Sequence, residues 1–347
     1  MVSHLANPVS IQRDLQSDRL HLQHFASPQA EDCSGQDVLE GLTRHPIKTI
    51  PAQYFYDDRG SQLFEQICTL PEYYPTRTEI SILASSSAAI AQAIGPCEVV
   101  ELGSGNSSKI RHLLNAQQTL NFPLRYLPLD VSGSILKDSA LGLLADYPSL
   151  TIAGVVATYE LGLAHLPPLQ LPKRIICFFG STLGNLTPDQ CDRFFKLIHR
   201  SLKPGEYFLL GVDLQKSTPI LEAAYNDSQG ITAAFNLNML QHLNWRFQGN
   251  FCLENFSHRA IYNPQAQQIE MYLDSRTDQR ATLSALGLEI ELAQGEAILT
   301  EISRKFDLAS LRQDLTAAGL PPQQIWQDPQ GWFALILCQA RSLTRRG

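Results

Sequence analysis

The sequence predicts an α/β protein: a parallel sheet covered by helices on both faces, with an α+β region inserted into it. Three observations carry that prediction. Short apolar runs closed by polar turns alternate with amphipathic stretches between residues 98 and 213. A glycine turn, Gly103-Ser104-Gly105, closes the first of these runs. The alternation stops after Asp213 and resumes near residue 308. Strands alternating with helices at this spacing build a parallel sheet, whereas helices followed by a run of strands belong to an α+β unit.

Taken in order, residues 1–35 are polar and without periodicity and are expected to form an irregular extension. Residues 36–95 read as helices interrupted at Leu70-Pro71-Glu72-Tyr73-Tyr74-Pro75. The first strand is expected at 98–102, with a helix over 107–115 behind it. A strand at 125–131 that includes Asp130, a helix at 132–146 and a strand at 151–157 follow. The fourth strand at 174–179, a helix at 188–202, the turn Lys203-Pro204-Gly205 and a fifth strand at 206–212 complete the alternation. Residues 215–247 then read as helices, and 254–275 and 294–303 as strands, with period-two segments such as Ile269-Glu270-Met271-Tyr272-Leu273. A helix at 308–318 and two strands near 324–327 and 332–338 close the sheet edge as a hairpin. The resulting division is an extension (1–35), an accessory domain (36–90 plus 215–303) and a core (91–214 plus 304–347).

Composition sets the function classes that remain. The 347 residues are 44% apolar and 18% charged, an ordinary globular balance with enough chain for a sizeable core. A formal net charge of −7 argues against a surface that tracks phosphates, so no nucleic acid is expected. No apolar run approaches the ~20 residues that span a bilayer. The first residues lack a basic segment followed by an apolar one, so no membrane partner and no leader are expected. Seven cysteines without a CxxC pair read as reduced thiols of a cytoplasmic protein, with Cys177 and Cys338 packing as small hydrophobes. Nine histidines without HExxH spacing give no metal site. Nothing calls for an oligomer, and a monomer is expected.

The stretch Glu101-Leu102-Gly103-Ser104-Gly105-Asn106-Ser107 lies between a strand and a helix. Glycines there allow a ligand to approach the backbone as no side chain would. Ser108 stands where a dinucleotide fingerprint has its third glycine, which disfavours a nicotinamide or flavin pyrophosphate. An acidic residue just before Leu-Gly suits instead a loop for S-adenosylmethionine, which has no phosphate. Asp130 ends the next strand, where a carboxylate can accept both ribose hydroxyls. A lone Gly-x-Gly would be a plain turn. With Asp130 at matching spacing it reads as a cofactor loop.

Several longer motifs resemble one family. They are Tyr54-Phe55-Tyr56-Asp57-Asp58-Arg59-Gly60-Ser61, Leu70-Pro71-Glu72-Tyr73-Tyr74-Pro75-Thr76-Arg77-Thr78-Glu79, the glycine loop, Phe179-Gly180-Ser181-Thr182-Leu183-Gly184-Asn185-Leu186, Ile269-Glu270-Met271 and Thr300-Glu301-Ile302-Ser303-Arg304-Lys305-Phe306. From about residue 45 onward the chain is similar to the L-histidine Nα-methyltransferases of ergothioneine biosynthesis. The resemblance implies a Rossmann-like, class I methyltransferase core with an accessory domain, in an enzyme that adds three methyl groups in turn to the α-amino group of histidine, giving hercynine; displacement at a sulfonium requires no metal. It implies that Gly103, Gly105, Lys109 and Asp130 contact S-adenosylmethionine, with Thr158 and Tyr159 at the adenine. An acidic residue is common at the position of Thr158, so that contact departs from the pattern. It implies that Tyr73, Asn185 and Tyr225 hold the amino-acid end of histidine. Glu301 and Ser303 would hold the imidazole, Met271 would line the ring pocket, and Tyr56 would sit close to the amine.

These residue types suit that chemistry. A neutral imidazole offers one donor and one acceptor, and Glu301 and Ser303, two apart on a strand, point the same way. No residue stands out as a strong general base; Tyr56 or water is the candidate proton relay, and positioning carries most of the catalysis. Three other readings compete. A tryptophan-type amine as substrate would favour an apolar residue in place of Glu301. A non-catalytic S-adenosylmethionine-binding regulator would not need Asn185, Tyr225, Glu301 and Ser303. A nicotinamide oxidoreductase would need the third glycine.

Overall fold

The computed structural model describes residues 11–25 and 35–342. The chain opens with β1 (Ile11–Ser17) and β2 (Leu20–Phe25), then α1 (Gln36–Leu42), β3 (Lys48–Thr49), α2 (Asp58–Thr69) and α3 (Tyr74–Ile94). The alternating part follows: β4 (Glu98–Leu102), α4 (Ile110–Thr119), β5 (Arg125–Asp130), α5 (Gly133–Asp146), β6 (Thr151–Val156), α6 (Tyr159–Ala164), β7 (Arg174–Phe178), α7 (Pro188–Ser201) and β8 (Tyr207–Asp213). Next come α8 (Thr218–Tyr225), α9 (Ile231–Phe247), β9 (Phe256–Asn263), β10 (Gln268–Ser275), β11 (Gln279–Leu283), β12 (Leu288–Leu292) and β13 (Ala297–Arg304). The chain closes with α10 (Leu308–Ala317), β14 (Pro322–Gln327) and β15 (Phe333–Gln339).

Nine strands form one sheet in the order β1-β2-β6-β5-β4-β7-β8-β15-β14. From β2 to β8 neighbours run parallel; β1 at one edge pairs antiparallel with β2, and β15 pairs antiparallel with both β8 and β14. Every residue of β4, β7 and β8 is buried, as central strands covered on both faces require. Strand order reverses at β4, so the carboxyl ends of β4 and its neighbours are where such a sheet binds ligands. This is the class I methyltransferase architecture expected from the sequence, including the closing hairpin.

A second, four-stranded sheet has the order β3-β13-β10-β9. It packs with α1, α2, α8 and α9 around an apolar cluster that includes Val38, Leu63, Met239, Met271 and Ile298. The β11–β12 hairpin joins it through Leu283 and Ile290. After β13 the chain returns directly to the core: Phe306 N–H donates to the carbonyl of Asp213, at the end of β8, at 2.9 Å. The last residues of β13 therefore sit against the carboxyl end of the main sheet.

The structure corrects three sequence expectations. Within the supposedly irregular first 35 residues, 11–25 form a hairpin that extends the main sheet, with Leu20 paired to Ile152 and His24 to Val156. The Leu20-x-Leu22 alternation that buries this strand is too short to stand out in sequence. Residues 1–10 and 26–34, with Cys33, lie outside the described residues. The second half of α3, assigned to the accessory region up to residue 90, packs on the main sheet through Ile82, Leu83, Ile90, Ala91 and Ile94. The hairpin β11–β12 is absent from the expected strands, although Leu288-Glu289-Ile290-Glu291-Leu292 alternates with the two-residue period of a strand. The six described cysteines are free thiols. No helix among the described residues is long and apolar enough to cross a membrane.

Candidate active site

The glycine loop is shaped by backbone geometry. Gly103 and Gly105 both have positive φ (66° and 49°), which side chains rarely tolerate. Gly103 N–H donates to the carbonyl of Leu129 at 2.8 Å, and Gly105 N–H donates to Asp130 Oδ2 at 3.0 Å. Asp130 Oδ1 accepts from Ser132 N–H at 2.9 Å. Each carboxylate oxygen keeps lone pairs, so two ribose hydroxyls could still donate to it. A Cβ on Gly105 would meet nothing within 4 Å, and one on Gly103 would meet only the Tyr159 ring, its hydroxyl oxygen at 3.0 Å. The loop thus has an open approach flanked by Tyr159, which fits a nucleoside-bearing cofactor. Thr158 is exposed beside it at the start of α6, with no side-chain capping bond.

Glu101 lies under this loop, buried, and accepts from the Tyr126 hydroxyl. Burial pushes its carboxyl up to about 8, opposed by Tyr126 and Lys109. Lys109 pairs at 2.7 Å with Glu79, whose side chain is fully buried. Both Glu79 oxygens also accept from Gly180 N–H, at 2.9 and 3.1 Å. A Cβ on Gly211 would overlap Glu79 Oε1 at 1.9 Å, so a glycine is required there for the carboxylate to fit. The ion pair Lys109–Glu79 ties α3 to the loop after β4 and to the turn after β7.

Two motifs present aromatic side chains. Asp57 caps α2 by accepting from Gly60 N–H at 2.7 Å and from Asn238 Nδ2 at 2.8 Å, which fixes the turn carrying Tyr56. Tyr56 is 52% exposed, with its ring 5.7 Å from Phe64 and 5.9 Å from Phe235. Surrounding protein, then the charge of Glu301, raises its phenol far above the usual range, so it stays protonated. Tyr73 immediately precedes α3, where Pro75 occupies the first turn. Its ring stands edge-on to Tyr225 at 6.0 Å.

The turn after β7 meets β13 backbone to backbone. A Cβ on Gly184 would come within 2.8 Å of the Arg304 carbonyl, so glycine permits the approach. Asn185 is thereby delivered to β13: its Nδ2 donates to Glu301 Oε1 at 2.6 Å and to the Ile302 carbonyl at 3.2 Å. Burial pushes the Glu301 carboxyl up to about 7, opposed by Asn185 and Lys305. The Tyr225 and Ser303 hydroxyls lie 2.8 Å apart. Met271 is opposite Glu301 in the β10–β13 ladder and 1% exposed. His258 supports Tyr225 from behind: its Nδ1 accepts from Asn236 Nδ2 at 2.9 Å, so Nε2–H donates to the Tyr225 carbonyl at 2.9 Å.

The fold thus gathers the expected residues into two groups. Gly103, Gly105, Asp130 and Tyr159 lie together at the carboxyl ends of β4, β5 and β6; Asn185, Tyr225, Glu301 and Ser303 lie together where β13 meets the turn after β7, with Met271 opposite Glu301 and the Tyr73 ring against Tyr225. Two differ in placement from the expectation. Lys109 spends its charge on Glu79, and the Tyr225 hydroxyl faces Ser303 with the clamp side chains. Sequence reasoning missed Glu79, Tyr74, Asp213, Lys216 and Lys305. Lys305 continues the two-residue period of Glu301 and Ser303, a signal that could have found it. Asp213 and Glu79 have no local signal, because their partners lie far along the chain.

The sheet order, the glycine loop after β4 and the carboxylate ending β5 define a class I methyltransferase. The chain belongs to the histidine-specific, S-adenosylmethionine-dependent methyltransferase family, whose model matches residues 34–340. It is 42% identical over 314 residues to the histidine N-alpha-methyltransferase of Mycolicibacterium smegmatis, covering 90% of this chain and 97% of that one. It is 40% identical over 302 residues to the Mycobacterium tuberculosis protein of the same name, covering 87% and 93%. An L-tryptophan methyltransferase of Psilocybe serbica is more distant, 26% identical over 332 residues, covering 88% and 92%.

Proposed function

We propose that this methyltransferase transfers three methyl groups in turn to the α-amino group of L-histidine, giving hercynine, a step toward ergothioneine. The observation that carries the reading is the Glu301 carboxylate beside the Ser303–Tyr225 hydroxyl pair, 2.6 Å from the Asn185 amide. An enclosed carboxylate is stabilised by a ligand only if the ligand donates to it, and imidazole does.

In this reading Gly103, Gly105 and Asp130 hold S-adenosylmethionine, with Thr158 and Tyr159 toward the adenine and Lys109 acting through Glu79. The cofactor supplies an electrophilic methyl on a sulfonium. Asn185 Oδ1, which has no hydrogen-bond partner among the described residues, accepts from the substrate amine and turns its lone pair toward that methyl. Tyr73 and Tyr225 confine the amino-acid end, and Met271 backs the ring. The Tyr56 phenol, held protonated, is no base; it orients the amine and excludes solvent, and the amine proton leaves to water. Catalysis then rests on alignment.

The test is a panel of the twenty amino acids with S-adenosylmethionine, read by mass spectrometry. Histidine should carry up to three added methyl groups and the others at most traces. Turnover of tryptophan equal to that of histidine would contradict the assignment.

A further inference from the structure

Lys305 lies directly behind the Glu301–Ser303 clamp and is 2% exposed. Its ammonium sits 2.8 Å from Asp213 Oδ2 and donates to Tyr225 Oη at 3.0 Å and Ser303 Oγ at 2.9 Å. Three donors meet three acceptors, with none left over. Burial works against the Lys305 charge, but Asp213 and Tyr225 outweigh it, and the amine is held charged. Asp213 is itself anchored by the Tyr74 hydroxyl at 2.7 Å, by Lys216 and, through its N–H, by Ser181 Oγ at 2.8 Å.

The consequence is a count of hydrogens. Ser303 and Tyr225 each accept from Lys305, and they share one hydrogen bond between them. Two hydroxyls carry two hydrogens, and that shared bond uses one. The second has no acceptor among the described residues. The pair therefore has a hydrogen to present. The Tyr225 phenol oxygen accepts one good hydrogen bond and Lys305 fills it, so the Tyr225 hydrogen goes to Ser303; Ser303 Oγ then accepts twice and turns its own hydrogen to the ligand.

We propose that Lys305 is a specificity-determining residue: by occupying the Ser303 and Tyr225 lone pairs it turns that hydroxyl pair into a donor that accepts only a ring nitrogen with a free lone pair. Resting on the histidine assignment, this fixes the bound form of the substrate. One ring nitrogen carries hydrogen and faces Glu301; the other is bare and faces the hydroxyl pair. The doubly protonated imidazolium is excluded, because its second N–H would meet a donor. The other polar or titratable groups near this clamp include Tyr56, Tyr73, Cys68, Tyr159, Asn185 and Glu301, with His258 behind Tyr225 and Tyr74, Asp213 and Lys216 behind Lys305.

The experiment is nitrogen NMR of ring-15N histidine bound to the enzyme with S-adenosylhomocysteine, across the acid range. In the wild type the bound ring should show one protonated and one bare nitrogen, and its pKa should lie at least about one unit below that of free histidine. Lys305→Met frees the lone pairs and should let the ring bind doubly protonated at the same pH. Ser303→Ala leaves Tyr225 accepting from Lys305 with its own hydrogen spare, so its bound ring should remain neutral. A doubly protonated ring in the wild type overturns the proposal, and this arm decides even if Lys305→Met fails to fold. An unchanged ring state in a Lys305→Met protein that still binds S-adenosylhomocysteine also overturns it. If histidine does not bind at all, the substrate assignment falls and the proposal with it; if it binds doubly protonated, only the role of Lys305 falls.

Discussion

The two groups of proposed site residues are built differently. The group proposed for the cofactor is mostly backbone: two glycines at positive φ, and one carboxylate that accepts from Gly105 N–H. The group proposed for the substrate is side chains drawn from four separated elements: Asn185 after β7, Tyr225 on α8, Glu301 and Ser303 on β13, and Tyr73 at the start of α3. A backbone site holds any ligand that shares a nucleoside part and tolerates exchange of most neighbouring side chains. A side-chain site with charges in fixed positions selects one substrate and is sensitive to each member.

Substitutions can break or sharpen that contrast. The largest effect is expected for Asn185→Ala, which should lower turnover of histidine by about 100-fold through lost alignment. Its affinity for S-adenosylhomocysteine, measured by calorimetry, should stay within about twofold of the wild type. Asp130→Ala should do the converse, weakening cofactor binding by about 1.5–3 kcal/mol, the range for a hydrogen bond to a charged group. If both variants lose cofactor and substrate together, the two ends are not separable. Gly184→Ala forces a methyl toward the Arg304 carbonyl, which is backbone and cannot swing aside. It should lower kcat by about tenfold while leaving cofactor affinity alone, as a small displacement of Asn185 would.

The smallest effect concerns stability. The Glu301 carboxyl is raised to about 7 in the folded protein. The folded state therefore binds this proton more tightly than the unfolded chain does. Ligand-free stability from this group is greatest below the unfolded pKa near 4.5 and declines as pH rises toward 7. Glu301→Gln should flatten that decline, so the Tm gap between variant and wild type should move in the variant's favour from pH 5 to pH 8. A constant gap would mean that the carboxylate carries no burial penalty.

The contrast also governs what the sequence could disclose. The parallel core was legible because each strand is a short apolar run followed by its own helix. The cofactor end was legible because Gly103, Gly105 and Asp130 lie close together in sequence. The proposed substrate end was legible only through longer motifs resembling a family; residue types alone show no more than two polar side chains, Glu301 and Ser303, on one face of a strand. The Lys305–Asp213 and Lys109–Glu79 pairs were hidden because each joins residues that only the fold brings together. The β1–β2 hairpin was hidden because a polar strand at a sheet edge carries little apolar pattern.

The central claim is that Glu301 selects imidazole, and the most direct measurement is kcat/KM for histidine and tryptophan in wild type and Glu301→Ala. The wild type should strongly prefer histidine. The variant should lose most histidine activity, by about tenfold to 100-fold, the cost of removing a hydrogen bond to a charged group, while S-adenosylhomocysteine binds as before. Histidine activity surviving in Glu301→Ala to within about threefold would contradict the claim and reopen the identity of the substrate.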